Sequence, residues 1–261
     1  MTLRGKVALV TGSTSGIGLG IARALAAEGA DLALSGFGDP AEIARLQGEL
    51  AAAHGVRVIH DGADLADAGQ VRRLVGRVGG ELGGVDILVN NAGIQFTAPI
   101  DEFPPERWDA VIAINLSAAF HASAAAIPGM RSRGWGRIVN IASAHGLVAS
   151  AAKSAYVAAK HGLIGLTKVA AIELAGTGVT CNAICPGWVR TALVEAQLEA
   201  RAEREGRTLA AVTEALLAEK QPLHAFTTPE SLGALTVFLC SEAARTMTGA
   251  AVSMDGGWVA Q

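Results

Sequence analysis

The sequence predicts an α/β fold: a doubly wound parallel sheet flanked by helices on both faces, built as a single domain from residues 1–261. Short apolar runs without polar alternation recur along the chain, which is typical of parallel strands that helices cover on both faces. Helical stretches separate these runs at the spacing of βαβ units. The length also suits one α/β domain, and no linker or change of composition divides it.

The predicted elements alternate from the start of the chain. The first strand, Lys6 to Val10, leads through a glycine-rich turn at 11–18 into a helix that Gly29 ends. Apolar runs predict further strands at 30–36, 56–60, 85–93, 137–143, 179–187 and 249–257. Helical patterns predict helices at 40–53, 66–82, 105–131, around Tyr156 and at 229–241.

One segment, residues 191–225, departs from this alternation. It inserts charged, helix-forming sequence between a strand and the next expected helix. Such a segment lies outside the sheet, and we expect it to form a helical lid over a substrate site. A surface hairpin of helices or a contact between subunits would have the same sequence pattern.

Composition and charge exclude several classes of function. Hydrophobic residues make up 51% of the chain, and the net charge of -3 comes without a basic block, so nucleic acids and membrane surfaces are not expected partners. A signal-peptide pattern and an apolar run of 18 residues are both missing from the sequence, and we expect a cytoplasmic protein. Cys181, Cys185 and Cys240 form no CxxC pair, which indicates buried thiols in a reducing compartment and no metal site.

The turn after the first strand has the features of a phosphate-binding loop. Gly12, Gly16 and Gly18 stand between a strand and a helix, where glycines allow a tight turn and close approach to a pyrophosphate. The helix that follows supplies N–H donors and the positive end of its dipole. The spacing is GxxxGxG, which differs from the general GxGxxG pattern, but its place in a βαβ unit predicts nucleotide binding.

A second constellation carries acid–base chemistry. Tyr156 and Lys160 are four residues apart on a predicted helix and therefore share one face. We expect the ammonium to lower the pKa of the phenol, so that the tyrosine can exchange a proton with a substrate alcohol or carbonyl. Ser143 ends the apolar run RIVNIAS, where its hydroxyl could bind the same substrate oxygen.

These motifs, together with NNAG at 90–93, Asn115 and PGWVRT at 186–191, occur in an order that resembles the short-chain dehydrogenase/reductase family over essentially the whole chain. The resemblance implies a Rossmann-type fold, a nicotinamide cofactor and, usually, a homotetramer. It implies that Tyr156 is the acid/base, that Lys160 lowers its pKa and holds the nicotinamide ribose, that Ser143 orients the substrate and that Asn115 supports a relay water. It further implies a cofactor-binding set: Gly12, Thr14, Ser15, Gly16, Ile17, Gly18, Phe37, Asp64, Leu65, Asn91, Ala92, Gly93, Tyr156, Lys160, Pro186, Gly187, Val189 and Thr191.

The residues after the second strand favour NAD over NADP. That stretch reads Gly36-Phe37-Gly38-Asp39 and contains no base for a 2'-phosphate, and neither Thr14 nor Ser15 is basic. The acid that usually binds the ribose is displaced, to Asp39 at best, and Phe37 itself could block a 2'-phosphate.

Five further side chains predict a small anionic substrate. Gln95, His145, Lys153, Trp188 and Gln197 stand beside the motifs, and their donors together with one cation suit a carboxylate. With Ser143 and Tyr156 they form the predicted substrate site, and the set resembles bacterial D-3-hydroxybutyrate dehydrogenases within the same family. The resemblance implies NAD-dependent oxidation of (R)-3-hydroxybutanoate to acetoacetate. The alternatives are a 3-oxoacyl carrier-protein reductase, another short-chain alcohol dehydrogenase, or a cofactor-binding regulator without turnover.

Overall fold

A computed structural model describes residues 2–260. Seven parallel strands form one sheet in the order β3-β2-β1-β4-β5-β6-β7, which is the doubly wound arrangement that the sequence predicts. The strands are β1 Val7–Thr11, β2 Asp31–Ser35, β3 Val58–Asp61, β4 Ile87–Asn90, β5 Gly136–Ile141, β6 Val179–Pro186 and β7 Ala251–Met254.

Nine α-helices occur in the described part of the chain. They are α1 Gly16–Ala27, α2 Pro40–His54, α3 Ala68–Leu82, α4 Pro105–Ile112, α5 Ala118–Arg133, α6 Ser154–Glu173, α7 Ala192–Glu205, α8 Leu209–Ala218 and α9 Pro229–Cys240. The element types are as predicted, but β4 ends at Asn90 and β5 at Ile141. The remaining residues of both predicted strands, NAG and AS, turn away at the sheet edge and enter the site described below.

The core has two layers, one on each face of the sheet. In β1, Val7 and Leu9 face a cluster with α3 and α5, whereas Ala8 and Val10 face a cluster with α1 and α9. All five residues of β1 are buried, so both faces of the strand are covered. This double burial explains why the strands carry apolar runs without alternation.

One helical stretch corrects a sequence-based prediction. The helix over Pro105–Arg133 is 29 residues long and apolar enough to cross a membrane by length and composition, although we predicted no such run. The structure instead packs α5 against α3, β4 and β5, and α4 against α6. A π-helical turn, Ala113–Ser117, interrupts it and carries Asn115. The stretch is therefore a helical layer that covers part of the sheet.

The inserted segment forms a helical hairpin of α7 and α8, as its sequence predicts. The two helices share a small core of Leu198, Ala202 and Val212, which is separate from the core of the sheet. The chain enters and leaves the hairpin through a short parallel bridge between Val189 and Thr227. We call the hairpin the lid, after its predicted role, and this bridge the neck of the lid.

Candidate active site

A cavity of about 770 Å³ opens at the carboxyl edge of the sheet, beneath α7. Parallel strands place their carboxyl ends at one edge, and ligands of open α/β sheets bind there. The residues that line it come from five predicted motifs and from the lid: Ile17, Asn91, Gly93, Ile94, Gln95, Phe96, Thr97, Ile141, Ala142, Ser143, Lys153, Tyr156, Lys160, Pro186, Gly187, Trp188, Val189, Thr191, Leu193, Val194 and Gln197.

The glycine turn leads from β1 to the beginning of α1. Gly12 has a φ of +62°, which favours glycine, and a Cβ on Gly18 would lie 2.2 Å from the Gly12 carbonyl oxygen. Ser15 makes no side-chain capping bond to α1, and the first turn of the helix holds no acidic residue. The turn therefore fits a pyrophosphate, because backbone N–H donors and the positive dipole end are available to it.

Asn91 holds this turn from the neighbouring strand. Its Nδ2 donates to the carbonyl oxygens of Thr11, at 2.8 Å, and Gly12, at 3.0 Å. The backbone N–H groups of Asn91 and Ala92 both donate to the Thr11 hydroxyl. The motif NNAG thus braces the predicted phosphate loop, and only Asn91 and Gly93 of its last three residues line the cavity.

Lys160 is buried at the base of the cavity. Its Nζ donates to the Ile141 carbonyl oxygen at 2.7 Å and lies 5.6 Å from the centre of the Tyr156 ring. Burial lowers the pKa of Lys160 to about 8, because desolvation disfavours the charged form. The spacing of Tyr156 and Lys160 therefore brings their side chains together, as predicted.

The pKa of Tyr156 is shifted in the direction opposite to the one that we predicted. Burial raises the pKa of Tyr156 above its ordinary value, although a hydrogen bond with the Ser143 side chain acts in the opposite direction. The prediction of a lowered pKa considered the distance to the cation and neglected desolvation. The ammonium also points to the Ile141 carbonyl, which accepts its hydrogen bond.

Asn115 is buried behind the cavity rather than in its lining. Its Oδ1 accepts from the Ile94 N–H at 2.7 Å, and its Nδ2 donates to the Ile94 carbonyl at 2.8 Å. A Cβ on Gly93 would lie 3.1 Å from Asn115 Oδ1 and 3.7 Å from Lys160 Nζ. The π-helical turn thus brings Asn115 close to Lys160, which keeps its predicted supporting role open.

The predicted carboxylate site is partly assembled. Gln95, Lys153, Trp188 and Gln197 all line the cavity together with Ser143. The Lys153 ammonium lies 5.9 Å from the centre of the Trp188 ring, and burial lowers the pKa of this lysine. Lys153 is the N-cap that precedes the first residue of α6, so it reaches the cavity from the entrance to the helix.

His145 lies behind Tyr156 and does not line the cavity. Its ring packs edge-on against Trp258, with ring centres 5.0 Å apart, and its Nε2 bonds the Ser150 hydroxyl at 2.9 Å. Burial lowers the pKa of His145 to about 4, so the ring is neutral at neutral pH. A direct substrate contact of His145 stays a prediction.

The residues that follow β2 lie beside the glycine turn that follows β1. Phe37 is 72% exposed, and its carbonyl accepts from the Thr14 hydroxyl at 2.9 Å. Asp39 caps α2 by accepting from the N–H groups of Ala41 and Glu42. Asp39 Oδ1 accepts both of these bonds, so the residue serves the start of α2, and a contact of Asp39 with the ribose stays a prediction.

After β3, Asp64 accepts from the Ala66 N–H in a local turn, and Leu65 packs in the core cluster under α3. Adenine contacts for both stay predictions. Among residues 2–260, no group of three His, Cys, Asp or Glu side chains is arranged to hold a metal.

Sequence reasoning missed part of the cavity wall. The apolar or weakly polar residues Ile94, Phe96 and Thr97 directly follow NNAG, and Leu193 and Val194 begin the lid. Their place next to motifs was the available signal. Gln221, which is described below, carried no such signal.

This chain is similar to known proteins over nearly its whole length. The family model for short chain dehydrogenase matches residues 6–202. D-beta-hydroxybutyrate dehydrogenase of Cupriavidus necator is 60% identical and covers 99% of this chain and 100% of its own length. The enzyme of the same name from Rhizobium meliloti is 51% identical, over 98% of this chain and 99% of its own. The crystal structure of L-sorbose reductase from Gluconobacter frateurii, complexed with NADPH and L-sorbose, has a TM-score of 0.95 at 33% identity and covers 100% of this chain and 99% of that chain.

Proposed function

Because the chain belongs to the short chain dehydrogenase family, we propose that it is an NAD-dependent dehydrogenase that interconverts D-3-hydroxybutyrate and acetoacetate. The names of the two relatives at 60% and 51% identity support this substrate, since both align over nearly their whole length. The observation on this chain that carries the proposal is the position of Lys153 beside Ser143 and Tyr156 in one cavity.

Lys153 is a cation without an acidic partner in the cavity. Lys153 is half-buried, and its ammonium lies against the Trp188 ring. Partial burial of a charge is unfavourable unless an opposite charge or hydrogen bonds compensate. A substrate carboxylate supplies that compensation, and in 3-hydroxybutyrate it stands two carbons from the reacting carbon.

The neighbours of Lys153 support the same orientation of the substrate. Gln95 and Gln197 line the cavity and can donate N–H groups to the carboxylate without a second fixed charge. We assign the Trp188 indole to the C4 methyl group, which limits the length of the substrate chain. The His145 ring is neutral and could still donate a hydrogen bond.

In the proposed mechanism, Tyr156 takes the proton of the substrate hydroxyl while Ser143 holds the same oxygen. A nicotinamide cofactor, held at the glycine turn, would supply the hydride acceptor for C3, so that D-3-hydroxybutyrate and NAD would give acetoacetate, NADH and a proton. Because burial raises the pKa of Tyr156, the phenolate needs positive charge beside it. Lys160 supplies such a charge at neutral pH, since its pKa of about 8 keeps it mostly protonated.

The turn residues support NAD as the cofactor. No lysine or arginine occurs at 14–15 or 36–39, and the exposed Phe37 ring stands where β2 ends. A 2'-phosphate would bring charge to a place that offers no cation, whereas a ribose hydroxyl carries no charge.

We also propose that the lid closes over substrate, that the protein resides in the cytoplasm and that it forms a homotetramer. Closure would exclude water from the hydride path. The cytoplasmic location is supported by the three cysteines, which are buried free thiols, as is usual in reducing compartments. The homotetramer is supported by two large apolar side chains that are exposed, Phe120 of α5 and Ile172 of α6. Exposed apolar surface commonly marks protein interfaces.

We expect Tyr156→Phe to lower kcat by about 10²–10⁴-fold, because general acid–base catalysis contributes that much. Binding of NADH, followed by its fluorescence, should stay nearly unchanged. Retention of more than about a tenth of kcat would show that another group moves the proton.

We expect kcat/KM with NAD to exceed that with NADP by at least about tenfold, which is roughly 1.4 kcal/mol. Phe37→Arg should narrow this preference, since it adds a cation at the end of β2. Equal efficiency of the wild-type protein with both cofactors would contradict the assignment.

We expect Lys153→Met to lower kcat/KM for D-3-hydroxybutyrate by about ten- to a hundredfold, because a charge-assisted contact is lost. The uncharged methyl ester should lose much less. Lys168→Met, which removes an exposed lysine of the same helix, is the matched control and should behave as wild type. Similar losses on acid and ester would mean that Lys153 acts on Tyr156 or on the fold.

We expect light scattering after size exclusion to give the mass of four chains. Ile172→Glu should produce a smaller species, because it places a charge on the apolar surface of α6. A monomeric wild-type protein would contradict the proposed assembly.

A further inference from the structure

Gln221 is a fully buried polar residue just after α8, where the lid returns to the sheet. Its Oε1 accepts from the Trp188 backbone N–H at 2.5 Å, and its Nε2 donates to the Ala225 carbonyl at 2.7 Å. Both ends of the amide are thus paired. One side chain thereby connects the segment that follows β6 with the segment that leaves the lid.

Two glycines leave the space that this amide fills. A Cβ on Gly187 would lie 2.5 Å from Gln221 Oε1, and a Cβ on Gly256 would lie 3.0 Å from Nε2. The backbone after β7 also packs closely against Gly187, since the same Cβ would lie 2.9 Å from Asp255 Cα. The site therefore accepts a side chain of this size and leaves little freedom for it to move.

The bonds of Gln221 continue into the neck of the lid. The Thr227 N–H donates to the Trp188 carbonyl at 3.0 Å, and the Arg190 N–H donates to the Thr227 carbonyl at 2.9 Å. The Thr227 hydroxyl also donates to the Met254 carbonyl of β7. Both polar backbone groups of Trp188 are therefore held by the segment that leaves the lid, and its indole lines the cavity.

We propose that Gln221 is a positioning residue that fixes the neck of the lid and, through the Trp188 backbone, the indole that we assign to the substrate. It touches neither substrate nor cofactor, because it lies beneath the cavity wall. The effect on 3-hydroxybutyrate rests on the proposed function, whereas the effect on the lid does not.

Gln221→Met tests this role, because methionine is unbranched and of similar length but cannot replace the amide bonds. The Trp188 N–H is then left without its acceptor, which is unfavourable for a buried donor. We expect at least a tenfold lower kcat/KM for D-3-hydroxybutyrate, mainly through a higher KM, while the KM for NAD changes less than threefold. We also expect trypsin to cut the lid at Arg201, Arg204 and Arg207 at least fivefold faster.

Two further variants separate positioning from packing. Gln221→Glu can restore both bonds only when its carboxyl is protonated, so its activity relative to wild type should rise as pH falls. Thr236→Val is the matched control, because it removes one buried hydroxyl bond, to the Leu232 carbonyl, within α9. It should leave KM and lid cleavage as in wild type.

Each outcome decides between the alternatives. If Gln221→Met keeps the wild-type KM and lid cleavage, or if it changes them no more than Thr236→Val does, the proposal is overturned. If the wild-type protein does not oxidise D-3-hydroxybutyrate, the proposed function fails. The rates of lid cleavage in wild type and Gln221→Met then still support or overturn the role of Gln221.

Discussion

The hydrogen bond from the Lys160 ammonium to the Ile141 carbonyl joins α6 to the end of β5, and the geometry of the site depends on it. Ile141 is the last residue of that strand and Ser143 follows two residues later, so this bond sets where the helix carrying Tyr156 lies relative to the serine. A buried ammonium is unfavourable, and the depressed pKa of Lys160 reflects that cost. The hydrogen bond to the Ile141 carbonyl offsets part of this cost and keeps the ammonium beside the Tyr156 ring.

The sequence predicted the order and type of the elements because double burial leaves a direct signal, an apolar run, in every inner strand. It overestimated strand length at β4 and β5, since Asn91-Ala92-Gly93 and Ala142-Ser143 directly follow the apolar runs but leave the sheet. The positions of Tyr156, Lys160 and Ser143 followed from spacing and order. The pKa of Tyr156 did not, because desolvation depends on everything that packs around the phenol, and spacing along one helix contains no information about that.

Features that arise from contacts distant in sequence were beyond prediction. Gln221 meets Trp188 over 33 positions, and nothing in its neighbours marks it as buried. The π-helical turn that brings Asn115 to Ile94 lies inside an ordinary helical pattern. Asp39 is a local case: its Oδ1 caps the start of α2, since an aspartate before a helix satisfies unpaired N–H groups, and a contact with the ribose stays a prediction.

The separate small core of the lid has a consequence for how such a protein can diversify. Leu198, Ala202 and Val212 pack on one another and not on the sheet, and the hairpin joins the rest of the chain through the Val189–Thr227 bridge. The hairpin can therefore lengthen, shorten or change its inner surface during evolution while the glycine turn after β1 and the group of Ser143, Tyr156 and Lys160 stay intact. Gln197 and the hairpin residues beside it can thus change separately from Ser143, Tyr156 and Lys160, whereas Gln95, Lys153 and Trp188 lie outside the hairpin and stay in place.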